Sequence, residues 1–305
     1  MTADHPLRGR HIAIATMHGK ERAIAPALAA RFGVHAVVPA GFDTDAFGTF
    51  TGEVARRGSP RDAARAKAAA AMAATGLDAA IASEGTFGPH PAVPLLPLAA
   101  EFLLLVDARS GLEVEAEDVG TATNWAGAPV RDLAEAEAFG ARVGFPDHQL
   151  VLRVSGDPTA TRRGIGNRDE LAVAMADLLR RGGRVEASAD MRADRNPTRM
   201  RAIARAAERL VERAAMPCPG CGWFGYGFVR AERGLPCEAC GEPTELVRAL
   251  VDGCARCAAT TRRPRPDGAA TADAGSCPQS NPGRWTAGAD RPWDRRQPAG
   301  TVSTA

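Results

Sequence analysis

The sequence predicts a mixed α/β domain with helices packed on a sheet, followed by a small cysteine-rich module. Three observations carry this expectation. Over the first 215 residues, short apolar runs alternate with segments of helical periodicity. Six of the seven cysteines then fall between 218 and 257. With 305 residues and 45% hydrophobic side chains, the chain can build one full core and an extra module. Basic and acidic residues number 38 and 36, so the net charge of +2 tells against a nucleic-acid partner. The most apolar stretch, 91–107, is interrupted by Pro94, Pro97 and Glu101 and falls short of the ~20 apolar residues of a membrane span. Met1–Arg10 is too polar for a signal peptide, so a cytoplasmic protein is expected, with no membrane partner.

Taken in order, His11–Thr16 reads as a strand, Glu21–Phe32 as a helix closed by Gly33, and Val34–Ala40 as a second strand. Pro60 opens an Ala-rich helix to Thr75, with Gly76 as its stop. Asp78–Ser83 is a strand delivering Glu84 and Gly85 to its carboxyl end. Phe102–Ala108 and Leu112–Ala116 form a hairpin around Arg109-Ser110-Gly111. Val130–Val143 reads as a helix and Gln149–Ser155 as a strand. Asn167 opens a capped helix, Val185–Asp190 is a strand, and Asn196-Pro197 begins a helix to Ala215. No GxGxxG follows the first strand, so a dinucleotide-binding fold lacks its fingerprint.

Three domains are expected: an α/β domain over 1–215, a zinc ribbon over 216–258, and a disordered tail over 259–305. The pairs Cys218/Cys221 and Cys237/Cys240 are C-x-x-C-Gly knuckles 15 residues apart, and Cys254/Cys257 is a third pair. Such turns aim two thiolates at one tetrahedral zinc. One zinc can use the first two pairs, or the outer pairs with the middle one beside them; a two-zinc, six-cysteine cluster also fits. An all-cysteine ligand set is structural rather than catalytic. Phe224, Tyr226 and Phe228 alternate along a predicted hairpin, Trp223–Glu232, and read as the ribbon's core. The tail has almost no aliphatic residues, and Cys277 within it reads as incidental.

Only two of the 38 basic residues are lysines, Lys20 and Lys67. Thr16, His18 and Lys20 lie where the first strand meets the first helix, a place suited to an anion. Lys67 follows Asp62 by five residues on the second helix, and Glu84-Gly85 ends the next strand. The stretch Ser59–Gly85, together with Thr16 and Lys20, resembles the inosine/xanthosine triphosphate pyrophosphatase superfamily. Its two lysine positions coincide with the chain's only two lysines, while Ala82 and Ser83 replace its Asp pair. Farther on, Asp190, Arg192, Arg195 and Arg199 surround a helix start at Asn196 and Thr198, another arrangement suited to phosphate. The segment Asp190–Met200 ahead of the cysteines resembles a bacterial family of unknown function, which supplies no activity.

The superfamily resemblance implies a pyrophosphatase-like fold and a Mg-dependent hydrolase of nucleotides or related phosphoanhydrides. Asp62, Glu84 and Asp190 would hold magnesium. Asp62, Glu84 and Lys67 would form the catalytic set, and Thr16, His18, Lys20, Arg192, Asn196, Thr198 and Arg199 would grip phosphate. A shared phosphate cleft requires Lys20 and Lys67 on one side of the sheet. The alternative is a non-catalytic protein on the same fold, sensing a nucleotide or another phosphorylated small molecule, or associated with nucleic acid.

Overall fold

Two β-sheets organise the residues before Pro217. The computed structural model describes residues 5–44, 47, 58–90 and 93–282, and the chain divides into two units between Pro217 and Cys218. The first sheet has the order β2-β1-β3-β4-β5, from β1 (His11–Ala15), β2 (His35–Val37), β3 (Ala79–Pro89), β4 (Pro97–Asp107) and β5 (Leu112–Gly120). β1 runs parallel to β2 and β3, whereas β3, β4 and β5 are antiparallel. The second sheet is antiparallel, with order β6-β9-β7-β8, from β6 (Gly127–Val130), β7 (Leu150–Val154), β8 (Asp157–Ile165) and β9 (Val185–Ala189).

Side-chain alternation along the first sheet separates its two faces. Ala13, Ala15, Ala80, Ala82, Phe102 and Leu104 pack against Ala64, Ala68 and Ala71 of α2 (Pro60–Thr75). Those alanines let the helix backbone approach the sheet closely. Ile81, Leu103 and Leu105 leave from the opposite face, where α5 (Pro197–Ala215) packs on β4 and β5 and also meets α1 (Glu21–Phe32). The first sheet is therefore covered on both faces. α3 (Leu133–Val143) and α4 (Arg168–Arg181) close a separate core over the second sheet, centred on Phe139, Leu150, Leu152, Leu171 and Leu178.

Helix ends follow the sequence closely. Gly33 and Gly76 terminate α1 and α2 at φ of 65° and 68°, the left-handed region that favours glycine. Asn167 caps α4 by accepting from Glu170 N, and Asn196 caps α5 by accepting from Arg199 N. Sheet boundaries differ more. β3 runs on to Pro89, so Glu84 and Gly85 lie inside a strand rather than at its end. Its last pairing with β1 joins Ala82 to Ala15, and beyond that point it pairs with β4 alone among the described residues. The predicted second strand shrinks to three residues, and Val130 belongs to β6, not to the helix that follows.

After Pro217, β10 (Gly227–Arg233), β11 (Val247–Gly253) and β12 (Thr260–Pro264) form a three-stranded antiparallel sheet. The aromatic alternation does not make its core: Tyr226 is buried, but Phe228 is exposed. The predicted tail is ordered over part of its length, since β12 and a 3-10 turn at Ala274–Ser276 lie in it. Composition missed this because β12 is held by backbone pairing with β11 while its side chains stay exposed. Arg265 Nη1 also donates to Val247 O at 2.7 Å. The rest of the predicted tail, 283–305, lies outside the described residues.

The alanine face of α2 yields a direct test. Ala68 is fully buried against the first sheet, so Ala68→Leu must push the helix outward and should cost about 1–3 kcal/mol in urea unfolding. An unchanged midpoint would mean that α2 does not pack on this face.

Candidate functional site

Where β1 ends, the chain turns through Thr16-Met17-His18-Gly19 into α1. Thr16 Oγ1 accepts from the N–H groups of His18 and Lys20, which ties the turn together. Gly19 adopts φ 68°, the left-handed region that favours glycine, and a Cβ there would meet the Arg22 guanidinium. The turn carries Lys20 inward, where it is 8% exposed and its Nζ donates to Ser83 Oγ at 2.9 Å. Burial pushes the Lys20 ammonium down from 10.5 to about 7, and the nearby Arg199 and Lys67 charges add to the effect. Met17 is exposed and His18 and Gly19 are half-buried, so this turn is where the cluster meets solvent.

Arg199, from the first turn of α5, reaches the same face. Its Nε donates to Glu101 Oε1 at 2.7 Å, with both side chains at most 1% exposed. Its Nη1 donates to Met191 O, and its guanidinium lies 5.1 Å from the centroid of the Phe87 ring. Gly85 makes room for this pair. A Cβ at Gly85 would stand 2.6 Å from Arg199 Nη2 and 2.9 Å from Glu101 Oε1. The Glu84-Gly85 motif therefore owes its glycine to a buried guanidinium rather than to a strand end.

Lys67 sits on the other side. Its Nζ contacts Glu84 Oε1 at 2.5 Å, with both side chains buried. Ser83 and Glu84 are consecutive on β3, so their side chains leave from opposite faces. Lys20 approaches the α5 face and Lys67 the α2 face. They are close enough to influence each other electrically, but they do not share one side of the sheet as a single phosphate cleft requires.

The residues expected to hold magnesium do not converge. Asp62 is exposed and completes a capping box with Ser59, accepting from Ser59 N at 3.0 Å and Ser59 Oγ at 2.6 Å. Asp190 is gripped by Arg192 through Nε and Nη2 and also accepts from Gly164 N. Glu84 is committed to Lys67. Each carboxylate thus has its own cation or cap, which removes the shared chelate.

Four residues expected to grip phosphate are likewise turned to structure. Arg192 is held by Asp190, and Arg199 by Glu101. Asn196 is fully buried, its Nδ2 donating to Asn124 Oδ1 and Asp190 O. Thr198 Oγ1 lies 2.8 Å from His148 Nε2 and accepts from Arg201 Nη2. His18 Nδ1 lies 3.6 Å from Asp194 Oδ1, linking the first turn to the segment before α5.

The cysteines form two groups that can hold a metal ion. Cys218, Cys221, Cys254 and Cys257 converge, with Sγ–Sγ separations of 3.6 Å for Cys218–Cys257 and 3.7 Å for Cys221–Cys254. The outer pairs therefore meet, as one of the sequence alternatives had it. Cys237 and Cys240 are joined by Cys277, 3.6 Å from Cys240. Cys277 is fully buried and is not incidental. Gly220 N, Ala239 N and Arg256 N donate to Cys218, Cys237 and Cys254 Sγ, the backbone geometry of metal knuckles. These are the groups of three or more cysteine, histidine or acidic side chains that converge among the described residues.

Residues 67–282 match the family model described as Domain of unknown function (DUF6671). The chain belongs to this family. Neither the curated proteins nor the solved structures contain a match to it. The DUF6671 segment takes in Lys67, Glu84, Glu101, Arg199 and all seven cysteines, and begins after Lys20. The pyrophosphatase-superfamily resemblance finds no counterpart in these comparisons.

Sequence reasoning missed Ser83, Glu101 and Cys277. Glu101 had a visible signal: an acidic residue inside the apolar run 97–107 must find a buried cation. Cys277-Pro-Gln likewise repeats the opening of Cys218-Pro-Gly.

Lys20 makes stability depend on pH in a definite direction. Its folded value lies below its unfolded one, so the unfolded chain binds more protons between pH 7 and 10.5. Stability from this group should rise across that window and be lowest below pH 7, by a few kcal/mol. Lys20→Met should raise the urea midpoint at pH 7 and flatten the profile between pH 7 and 10. A variant less stable than the parent at both pH values would contradict a strained, buried ammonium.

Proposed function

We propose that the α/β unit binds a phosphorylated small molecule at the Thr16–Lys20 turn, with Lys20 as a proton-linked contact. The observation that carries this reading is a surplus of buried positive charge. Lys20, Lys67 and Arg199 face two carboxylates, Glu84 and Glu101. Burial first, and then the Arg199 and Lys67 charges, lower the Lys20 ammonium to about 7, so a protonated Lys20 adds a cation to a low-dielectric setting. An anion arriving at the turn would supply the missing negative charge and favour the protonated form. Perturbed groups of this kind concentrate at functional sites. A single phosphate, compact and dianionic, suits a compact ammonium better than a planar carboxylate does.

The magnesium-dependent pyrophosphohydrolase is disfavoured because Asp62, Glu84 and Asp190 each serve a separate partner. A catalytic reading of a different kind draws on one contact, the Lys20–Ser83 hydrogen bond. A lysine whose ammonium is lowered toward neutrality is partly the free amine, which can accept the proton of a serine hydroxyl as general base. Turnover of a bound phosphoester, abolished by Ser83→Ala, would favour that reading over binding alone.

For the cysteine-rich unit we propose zinc. Four thiolates in C-x-x-C pairs form the tetrahedral all-sulfur set that zinc takes in structural sites. Magnesium, a hard cation, takes oxygen ligands, whereas these groups offer sulfur.

Isothermal titration with inorganic phosphate and a nucleoside monophosphate tests the anion site. Binding should be accompanied by proton uptake above pH 7 and weaken as pH rises toward 9, because Lys20 loses its proton there. Lys20→Met should abolish binding. Asp62→Ala should leave it intact while removing only the Asp62 half of the capping box, Ser59 still capping α2. Binding that is independent of pH, or that survives Lys20→Met, would contradict the proposal.

A further inference from the structure

The second thiolate group has three cysteines where tetrahedral zinc needs four donors. Ser280 stands at the remaining corner. Its Oγ lies 3.3 Å from Cys240 Sγ and 3.5 Å from Cys237 Sγ. With Zn–O near 2.0 Å and Zn–S near 2.3 Å, a tetrahedral oxygen and sulfur sit about 3.5 Å apart. Ser280 N also donates to Cys277 Sγ at 3.4 Å. The two groups then share one design. Cys218-x-x-Cys221 meets Cys254-x-x-Cys257 in the first, and Cys237-x-x-Cys240 meets Cys277-x-x-Ser280 in the second.

We infer that the Ser280 hydroxyl is the fourth ligand of a second zinc site, and that this corner is exchangeable. The inference rests on the zinc reading of the cysteine-rich unit. Cys237 and Cys277 are buried, whereas Cys240 and Ser280 are exposed, so the oxygen corner faces solvent. A neutral hydroxyl holds zinc more weakly than a thiolate does. Zinc with three thiolates carries a net charge of −1; a fourth thiolate would take it to −2, the charge of the Cys218 site. The ligand class suited to this corner is therefore a low-molecular-weight thiol. It would bind as the thiolate, releasing its proton to water and displacing the neutral Ser280 hydroxyl. No electrons are transferred.

The full chain, purified under reducing conditions without chelator, should contain two zinc equivalents. Release to a chromophoric chelator should be biphasic, one ion leaving faster. Ser280→Cys should keep both ions and slow the fast phase by at least about tenfold. Cys277→Ser should lose one ion and leave the slow phase unchanged. In the cobalt-substituted protein, Ser280→Cys should strengthen the thiolate-to-metal charge-transfer band, and adding a small thiol to the parent should change the visible spectrum in the same direction. One equivalent, or two equivalents with spectrum and release unaltered by Ser280→Cys, would overturn the Ser280 assignment while leaving the Cys218 site standing. No bound metal at all would overturn the zinc reading itself.

Discussion

A guanidinium buried against a carboxylate governs the first unit. Arg199 and Glu101 are both almost completely removed from water, and two desolvated charges are tolerated only when their mutual geometry and remaining hydrogen bonds are good. The structure meets this condition by placing Gly85 beneath the pair, Phe87 beside it and Met191 O at the outer nitrogen. Because α5 carries Arg199 and β4 carries Glu101, the pair also fixes how the helix enters the sheet. Everything nearby inherits its field. Lys20 arrives on the same face and donates to the neutral Ser83 hydroxyl, and burial beside the Arg199 charge lowers its ammonium to about 7.

The sequence made the helices of this unit easy to read because their ends are written in local chemistry. Ser59, Asn167 and Asn196 cap, and Gly33 and Gly76 stop, through contacts within a few residues. The strands were less legible. β3 continues past Ser83 only because β4 pairs with it residue by residue to Pro89, a long-range arrangement that periodicity does not encode. The second sheet was visible as β7 and β9 but not as a separate layer, since β6 and β8 are defined by their partners. The candidate site divides in the same way. Their rarity singled out both lysines, and the resemblance implied one shared cleft; that they approach β3 from opposite faces was not readable, because a single residue of strand register decides it. Asp62, Arg192 and Asn196 looked like ligand contacts, yet helix capping and local ion pairs use the same residue types as phosphate binding.

The second unit rests on different physics. Its sheet is small and its third strand is exposed, so side-chain burial alone gives it little to fold around. The zinc proposed for the two convergent sulfur groups would compensate: each group joins chain segments more than 30 residues apart, Cys221 with Cys254 and Cys240 with Cys277. Metal-linked closure of such loops is a recognised route to stability in small modules. Metal at Cys277 would add to the pairing of β12 with β11 in holding the polar segment beyond Ala258.

With only two lysines in the chain, lysine-selective 13Cε labelling reports on the buried ammonium without crowding. One resonance, identified by its loss in Lys20→Met, should titrate with a midpoint near pH 7 and shift to a higher midpoint when inorganic phosphate is added. A Lys20 resonance that titrates near 10.5, or one that phosphate leaves unmoved, would contradict a proton-linked anion site at the end of β1.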